Sequence, residues 1–136
     1  MSKPSRSGEP SLAAIPVLVV EDDLASLKLT SLLLTRAGAR VTTATNAETA
    51  AAAVDLARPR VAVVDLVLPR MGGFTLIETL RQRPEHRSIV FVAVSVLNGP
   101  QVARMALAAG CSLYLRKPLD NDTFATTVAR LLGEPP

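Results

Sequence analysis

Ile15 to Asp23 reads IPVLVVEDD: six apolar residues in a row, followed at once by three acids. A strand with one face in water alternates apolar and polar side chains. This run does not alternate, so it predicts a strand covered on both faces, as in parallel sheets. Three further runs have the same character: Val61 to Val64, Ile89 to Val94, and Leu113 to Leu115. Val41 to Ala44 is a more polar fifth, which suits an edge strand.

Between the runs the apolar spacing changes to three and four residues, the helical period. Leu24, Leu27, Ser31 and Leu34 share one predicted face; Ala47, Ala50, Ala51 and Val54 share another. Val102, Met105, Ala106 and Ala109 form a third and Phe124, Val128 and Leu131 a fourth, with a shorter helix over Thr75 to Leu80. Gly38, Gly110 and Gly133 stand where helices should end, Pro59 and Pro84 stop two others, and Asp23, Asn46 and Asn121 are N-cap candidates. Strand and helix thus alternate five times with short connections. Right-handed crossovers turn that order into an α/β, doubly wound (βα)5 fold, a five-stranded parallel sheet with helices on both faces. The flavodoxin-like strand order 2-1-3-4-5 places the polar second strand at an edge and the Val61 run inside, and it locates a crevice at the C-terminal ends of strands one and three.

The chain has 136 residues, 49% of them apolar and 20% charged, enough for one well-filled core and too few for a second module. Residues 1–14, rich in Ser, Pro and Gly, are expected to form a flexible N-terminal tail, residues 15–133 the domain, and residues 134–136 a short C-terminal tail. The tail lacks the apolar core of a signal peptide, and no apolar run reaches the roughly twenty residues of a membrane helix. A single cysteine, Cys111, allows no internal disulfide, and the absence of clustered His or Cys excludes a structural zinc site. The expected location is cytoplasmic. The formal charge of +3 comes mainly from scattered arginines, and the four aromatics are not interleaved with them, so no direct nucleic-acid partner is expected.

The strand ends carry the chemistry. Strand one runs into Glu21, Asp22 and Asp23, strand three into Asp65, strand four into Ser95, and strand five is followed by Lys117 and Pro118. Carboxylates gathered at one rim repel one another unless a cation joins them. A hard divalent ion with oxygen ligands, Mg2+ with Mn2+ as a substitute, answers that need and keeps sites open for a phosphate. A carboxylate can also attack phosphorus and form an acyl phosphate. Each residue has an ordinary structural reading as well: a helix cap for Asp22 and Asp23, a turn former for Asp65 before Pro69, a strand-end hydroxyl for Ser95, a solvated lysine for Lys117, core filler for Tyr114. Their joint arrival at the one predicted crevice favours a site. Cys111 reads as a small buried or half-buried thiol, and His86 as a surface loop histidine.

The segments VLVVEDD, VVDLVLPRMGG, VAVSV and LYLRKP resemble, in order and spacing, the response regulator receiver domain, over Val17 to about Leu132. The resemblance implies that Asp65 is the phosphoacceptor and that Glu21, Asp22, Asp65 and the backbone carbonyl of Val67 hold the metal, with Glu21 acting partly through water. It implies that Ser95 and Tyr114 are the switch pair, that Lys117 pairs with the phosphoryl group, and that the Lys117-Pro118 bond is cis. Three positions depart from the family's habit: Val96 for alanine or glycine, Gly72 for a polar residue, and Leu68 for methionine.

The partners so implied are a sensor histidine kinase or a histidine phosphotransfer protein upstream, and a downstream protein on the face of the fourth helix, fifth strand and fifth helix. A phosphorylation-linked dimer is one form that output can take. With nearly all the chain assigned to this domain, the output is expected to come from another molecule. On this reading the chain is a signalling phosphoacceptor that catalyses its own phosphorylation and dephosphorylation rather than an enzyme acting on a separate substrate. Two alternatives stand beside it. One is an interaction scaffold with the same fold that signals without phosphorylation. The other is an aspartyl-nucleophile phosphatase of the haloacid dehalogenase type, which asks for an acid two residues past the nucleophile, where this chain has Val67.

Overall fold

A computed structural model of the chain describes residues 11–133. Five strands, β1 (Pro16–Val20), β2 (Arg40–Ala44), β3 (Val61–Asp65), β4 (Val90–Ser95) and β5 (Leu113–Arg116), alternate with five helices. These are α1 (Leu24–Arg36), α2 (Ala47–Ala57), α3 (Gly73–Arg81), α4 (Pro100–Ala109) and α5 (Phe124–Leu131), and a 3-10 turn at Pro84–His86 lies between α3 and β4. All strand pairs are parallel and their order is β2-β1-β3-β4-β5. The expected doubly wound fold is therefore the one observed. Val17 pairs with Val41 on one side and Val61 on the other, and Val61 in turn with Val90.

The unbroken apolar runs are unbroken because the sheet has a core on each face. On one side Leu18, Val20, Val64 and Phe91 pack with Ala47, Ala50 and Val54 of α2, Leu76, Ile77 and Leu80 of α3, and Ala106 of α4. On the other side Val17, Val19, Val63 and Val92 pack with Leu27 and Leu34 of α1 and Phe124 and Val128 of α5. Every residue of β3 is buried, while β2 leaves Arg40 and Thr43 exposed at its edge. Each fully buried Leu, Val, Ile or Phe contributes about 1.5–3 kcal/mol, and that burial is concentrated on the central strands β1, β3 and β4.

Several local expectations need correction. Leu24 is 63% exposed, and α1 instead buries Leu27, Thr30, Leu33 and Leu34. Leucines occupy nearly every side of that helix, so spacing alone does not select a face. Met105 of α4 is also exposed, leaving Ala106 as that helix's buried residue. Asn121 does not cap α5; the Asp120 carboxylate accepts from the Asp122 and Thr123 N–H groups one position earlier. Asp23 and Asn46 do cap, accepting from Ser26 N–H and Thr49 N–H. The expected tail boundary at residue 14 falls too late, because Leu12 is buried among α1 and β1 residues and Ala14 N–H bonds the Gly38 carbonyl. Residues 1–10 and 134–136 lie outside the described chain.

Candidate functional site

The C-terminal ends of β1, β3 and β4 carry Glu21, Asp65 and Ser95. Asp65 and Ser95 are the last residues of their strands and remain in the ladder, opposite Val94 and Arg116 respectively. Their positions are fixed by sheet hydrogen bonds rather than by a loop. Behind them, α3 starts unusually close: a Cβ on Gly73 would stand 2.3 Å from the Asp65 carbonyl oxygen and 2.6 Å from Leu66 Cα. Only glycine fits there. The neighbouring Gly72 has φ 78, in the left-handed region, so the polar residue the family favours would be strained on this backbone.

At the rim, Asp65 Oδ1 accepts from the Val67 N–H at 2.9 Å and Oδ2 from Lys117 Nζ at 2.9 Å. Lys117 Nζ also donates to Glu21 Oε1, and Glu21 Oε2 accepts from the Asp23 N–H at 3.2 Å. Glu21 is 2% exposed and Asp65 5%, whereas Asp22 projects outward. Carboxylate oxygens of Glu21, Asp22 and Asp65 all lie within 4.8 Å of one another. Three acids thus face a single ammonium, and the charges do not balance. Burial, reinforced by a hydrogen bond and charge from Asp65 and offset in part by Lys117, pushes the Glu21 carboxyl up to about 7. Burial works against the Lys117 ammonium, but hydrogen bonds to Glu21 and Asp65 outweigh it and raise its pKa. A pocket in which a carboxylate holds a proton near neutral pH has room for another positive charge. The candidate ligand atoms of Glu21, Asp22 and Asp65 are all carboxylate oxygens, which suits a hard divalent cation.

Ser95 is fully buried, and its Oγ accepts from the Leu97 N–H at 3.1 Å. The Leu97 carbonyl accepts from the Tyr114 hydroxyl. One loop residue therefore joins the hydroxyl at the end of β4 to the ring on β5. Lys117 N–H bonds the Ser95 carbonyl at 2.8 Å, and the Lys117-Pro118 peptide is cis. Val96 is 65% exposed and turns toward α1, lining a cavity of about 320 Å³ with Leu29, Lys117 and Leu119.

Glu21, Asp22, Asp65 and Lys117 come together at this rim, while Ser95 ends the adjoining strand and, with Tyr114, bonds to Leu97. Two features escaped the sequence reading. Gly73 carried a signal, the glycine pair after Met71, but only the structure shows which glycine the strand end requires. Arg70 reaches back to Glu48 of α2 at 3.3 Å, tethering the loop after Asp65, and nothing in the spacing announces that pair. His86, expected at the surface, is 6% exposed, with Nε2 3.4 Å from Asp55 Oδ1. The 3-10 turn folds it under the end of α2.

The family model for the response regulator receiver domain matches residues 17–129. Among curated proteins the chain is similar to an uncharacterized 14.6 kDa protein of Leptolyngbya boryana, 34% identical over 81% of this chain and 84% of that one. It is also similar to the response regulator PleD of Caulobacter vibrioides, 33% identical over 77% of this chain, of which it spans only 23%. Among solved structures, the chemotaxis response regulator CheY4 of Vibrio cholerae superposes with a TM-score of 0.82 at 27% identity, covering 88% of this chain and all of that one. No helix among the described residues is long and apolar enough to cross a membrane. With the strand order, the acidic rim and this match over most of its length, the chain belongs to the response regulator receiver domain family.

Proposed function

We propose that the chain accepts a phosphoryl group on Asp65 from the phosphohistidine of a sensor kinase or phosphotransfer protein and passes the signal on by a change of surface. The observation that carries this reading is the meeting of Asp65, Lys117, Glu21 and Asp22 at one rigid rim. In the transfer step an Asp65 carboxylate oxygen forms a bond to phosphorus while the bond from phosphorus to the imidazole nitrogen breaks. The electron pair stays on that nitrogen, and with a proton on the ring's other nitrogen the donor leaves as a neutral histidine, with the aspartyl phosphate left behind. Asp65, Asp22 and the Val67 carbonyl would hold Mg2+ directly and Glu21 through water. The metal supplies positive charge against the phosphoryl oxygens. Lys117, already bonded to Asp65 Oδ2, is placed to pair with a phosphoryl oxygen added there.

Ser95 turns chemistry into shape. Its hydroxyl donates to the new phosphoryl group, a contact available only after transfer, and this draws on the oxygen that now accepts from Leu97. Leu97 also carries the Tyr114 contact, so displacing the loop releases the ring. The face so altered is formed by α4, β5 and α5, where Met105 and Leu107 stand exposed for a downstream protein.

The direct experiment incubates the protein with acetyl phosphate and Mg2+ and weighs it intact. One added phosphoryl group is expected, lost with chelator and absent from Asp65→Asn. No added mass, or an equal gain in Asp65→Asn, overturns the assignment.

A further inference from the structure

The loop that follows Asp65 is pinned at its ends and bare at its bend. Leu66 and Leu68 are buried in the core shared with α2 and α3, and the Gly73 N–H bonds the Leu66 carbonyl at 3.1 Å. Val67, between those leucines, donates its N–H to Asp65 Oδ1 at 2.9 Å. Pro69 and Arg70 stand exposed at the bend.

Arg70 holds that bend in the left-handed conformation, φ 61, which is costly for any residue with a Cβ and routine for glycine. The same loop does use glycine two positions later, where φ is 78 and nothing lies within 4 Å of an added Cβ. At residue 70 the backbone alone would favour glycine as well, so the arginine side chain has to offset the difference. It does so by reaching α2: Nε donates to Glu48 Oε2 and Nη2 to Glu48 Oε1, both at 3.3 Å, the two-pronged fit of a guanidinium on a carboxylate. The arginine in turn holds the Glu48 carboxyl below its usual range. The ordinary reading is a solvated ion pair of little worth to global stability, since Arg70 is 67% and Glu48 45% exposed. A pair of that strength can still decide where a loop sits, because local opening of a loop costs far less than unfolding the domain.

We propose that Arg70 and Glu48 are positioning residues for the candidate site: they hold the bend on α2 and thereby keep the Val67 N–H on Asp65 Oδ1, which sets the rotamer of that carboxylate. Oδ2 is then presented to Lys117 at the rim. The hold on Asp65 stands on this geometry; its bearing on metal binding rests on the proposed role of the acids.

The test follows exchange of the Val67 amide with solvent, by NMR on the full chain in chelator. Exchange should be at least threefold faster in Glu48→Gln and in Arg70→Gly, with Arg70→Lys between these and the wild type. In 1 M salt, where the screening length is about 3 Å, the wild type should approach the variants. Val128→Ala, in the core on the other face of the sheet, lowers global stability without touching the loop and should leave Val67 exchange unchanged. Mg2+ titrated into the same proteins should bind at least twofold more weakly to Arg70→Gly. Loss of a nearby positive charge would by itself strengthen cation binding, so the weakening is the mark of positioning. Equal Val67 exchange in the wild type and both pair variants overturns the proposal, as does equal acceleration in Val128→Ala. Unchanged or tighter Mg2+ binding in Arg70→Gly also overturns it. A wild type that binds no Mg2+ contradicts the metal reading instead, and the exchange result alone then decides on the pair.

Discussion

Glu21 makes the metal-free protein less stable as pH rises, and the size of the effect follows from its surroundings. Its carboxyl moves from 4.5 to about 7 on folding, because burial and Asp65 disfavour the charged form. A folded-state value above the unfolded one means that the native protein binds more protons between those limits. Stability then falls with pH, by up to 1.4 kcal/mol per unit. The penalty is absent below about pH 4.5 and complete above about pH 7. A shift of that size corresponds to a loss on the order of 2–3 kcal/mol between pH 5 and pH 8. Urea unfolding in chelator at both pH values measures it. Glu21→Gln keeps the shape and removes the charge, so its difference should shrink to below about 1 kcal/mol. The only histidine, His86, is present in both proteins and cancels in the comparison. Adding Mg2+ to the wild type should flatten the slope, since the cation replaces the proton as the partner of the acids. Equal slopes in wild type and Glu21→Gln, or a wild type more stable at pH 8 than at pH 5 without metal, would refute the crowded-acid account.

Asp65→Asn relieves the same crowding from the other side and should raise metal-free stability by about 1 kcal/mol, while Mg2+ raises the wild-type midpoint more than the variant's; calorimetry with and without the ion reads both. Gly73→Ala drives a methyl group into the end of β3. It should cost about 1–3 kcal/mol in urea unfolding and slow acetyl phosphate labelling of Asp65, the proposed acceptor, since the end of its strand is displaced. Ile77→Ala, in the core between α3 and the sheet, should cost about 2–5 kcal/mol with little change in labelling rate. Asn46→Ala removes the cap of α2 and should cost about 1 kcal/mol by the same unfolding measurement.

The strands were readable because burial on both faces writes a continuous apolar run, a signal no half-exposed segment imitates. The location of the candidate site was readable for a related reason: in a parallel sheet every strand ends at the same edge, so Glu21, Asp65 and Ser95 had to fall along one edge once the strands were placed. Orientation around a helix was harder. α1 has leucine on nearly every side, and burial of Leu33 rather than Leu24 is decided by what α5 and β1 leave uncovered. His86 was misread for a similar cause, since its burial comes from a 3-10 turn with no periodicity to betray it. Pairs such as Arg70 with Glu48 depend on loop paths, and sequence separation says nothing about those.

The chain has one tyrosine and no tryptophan. That tyrosine is the residue whose hydroxyl is tied to Leu97 beside Ser95. Its emission is therefore an optical signal from one place alone, uncontaminated by any other fluorophore of the chain. A carbonyl bonded to the phenol shortens the excited-state lifetime, and a freed or reburied ring changes it. The molecule thus carries a built-in reporter on the loop beside Ser95, and a stopped-flow fluorimeter can test the proposed loop displacement without a label.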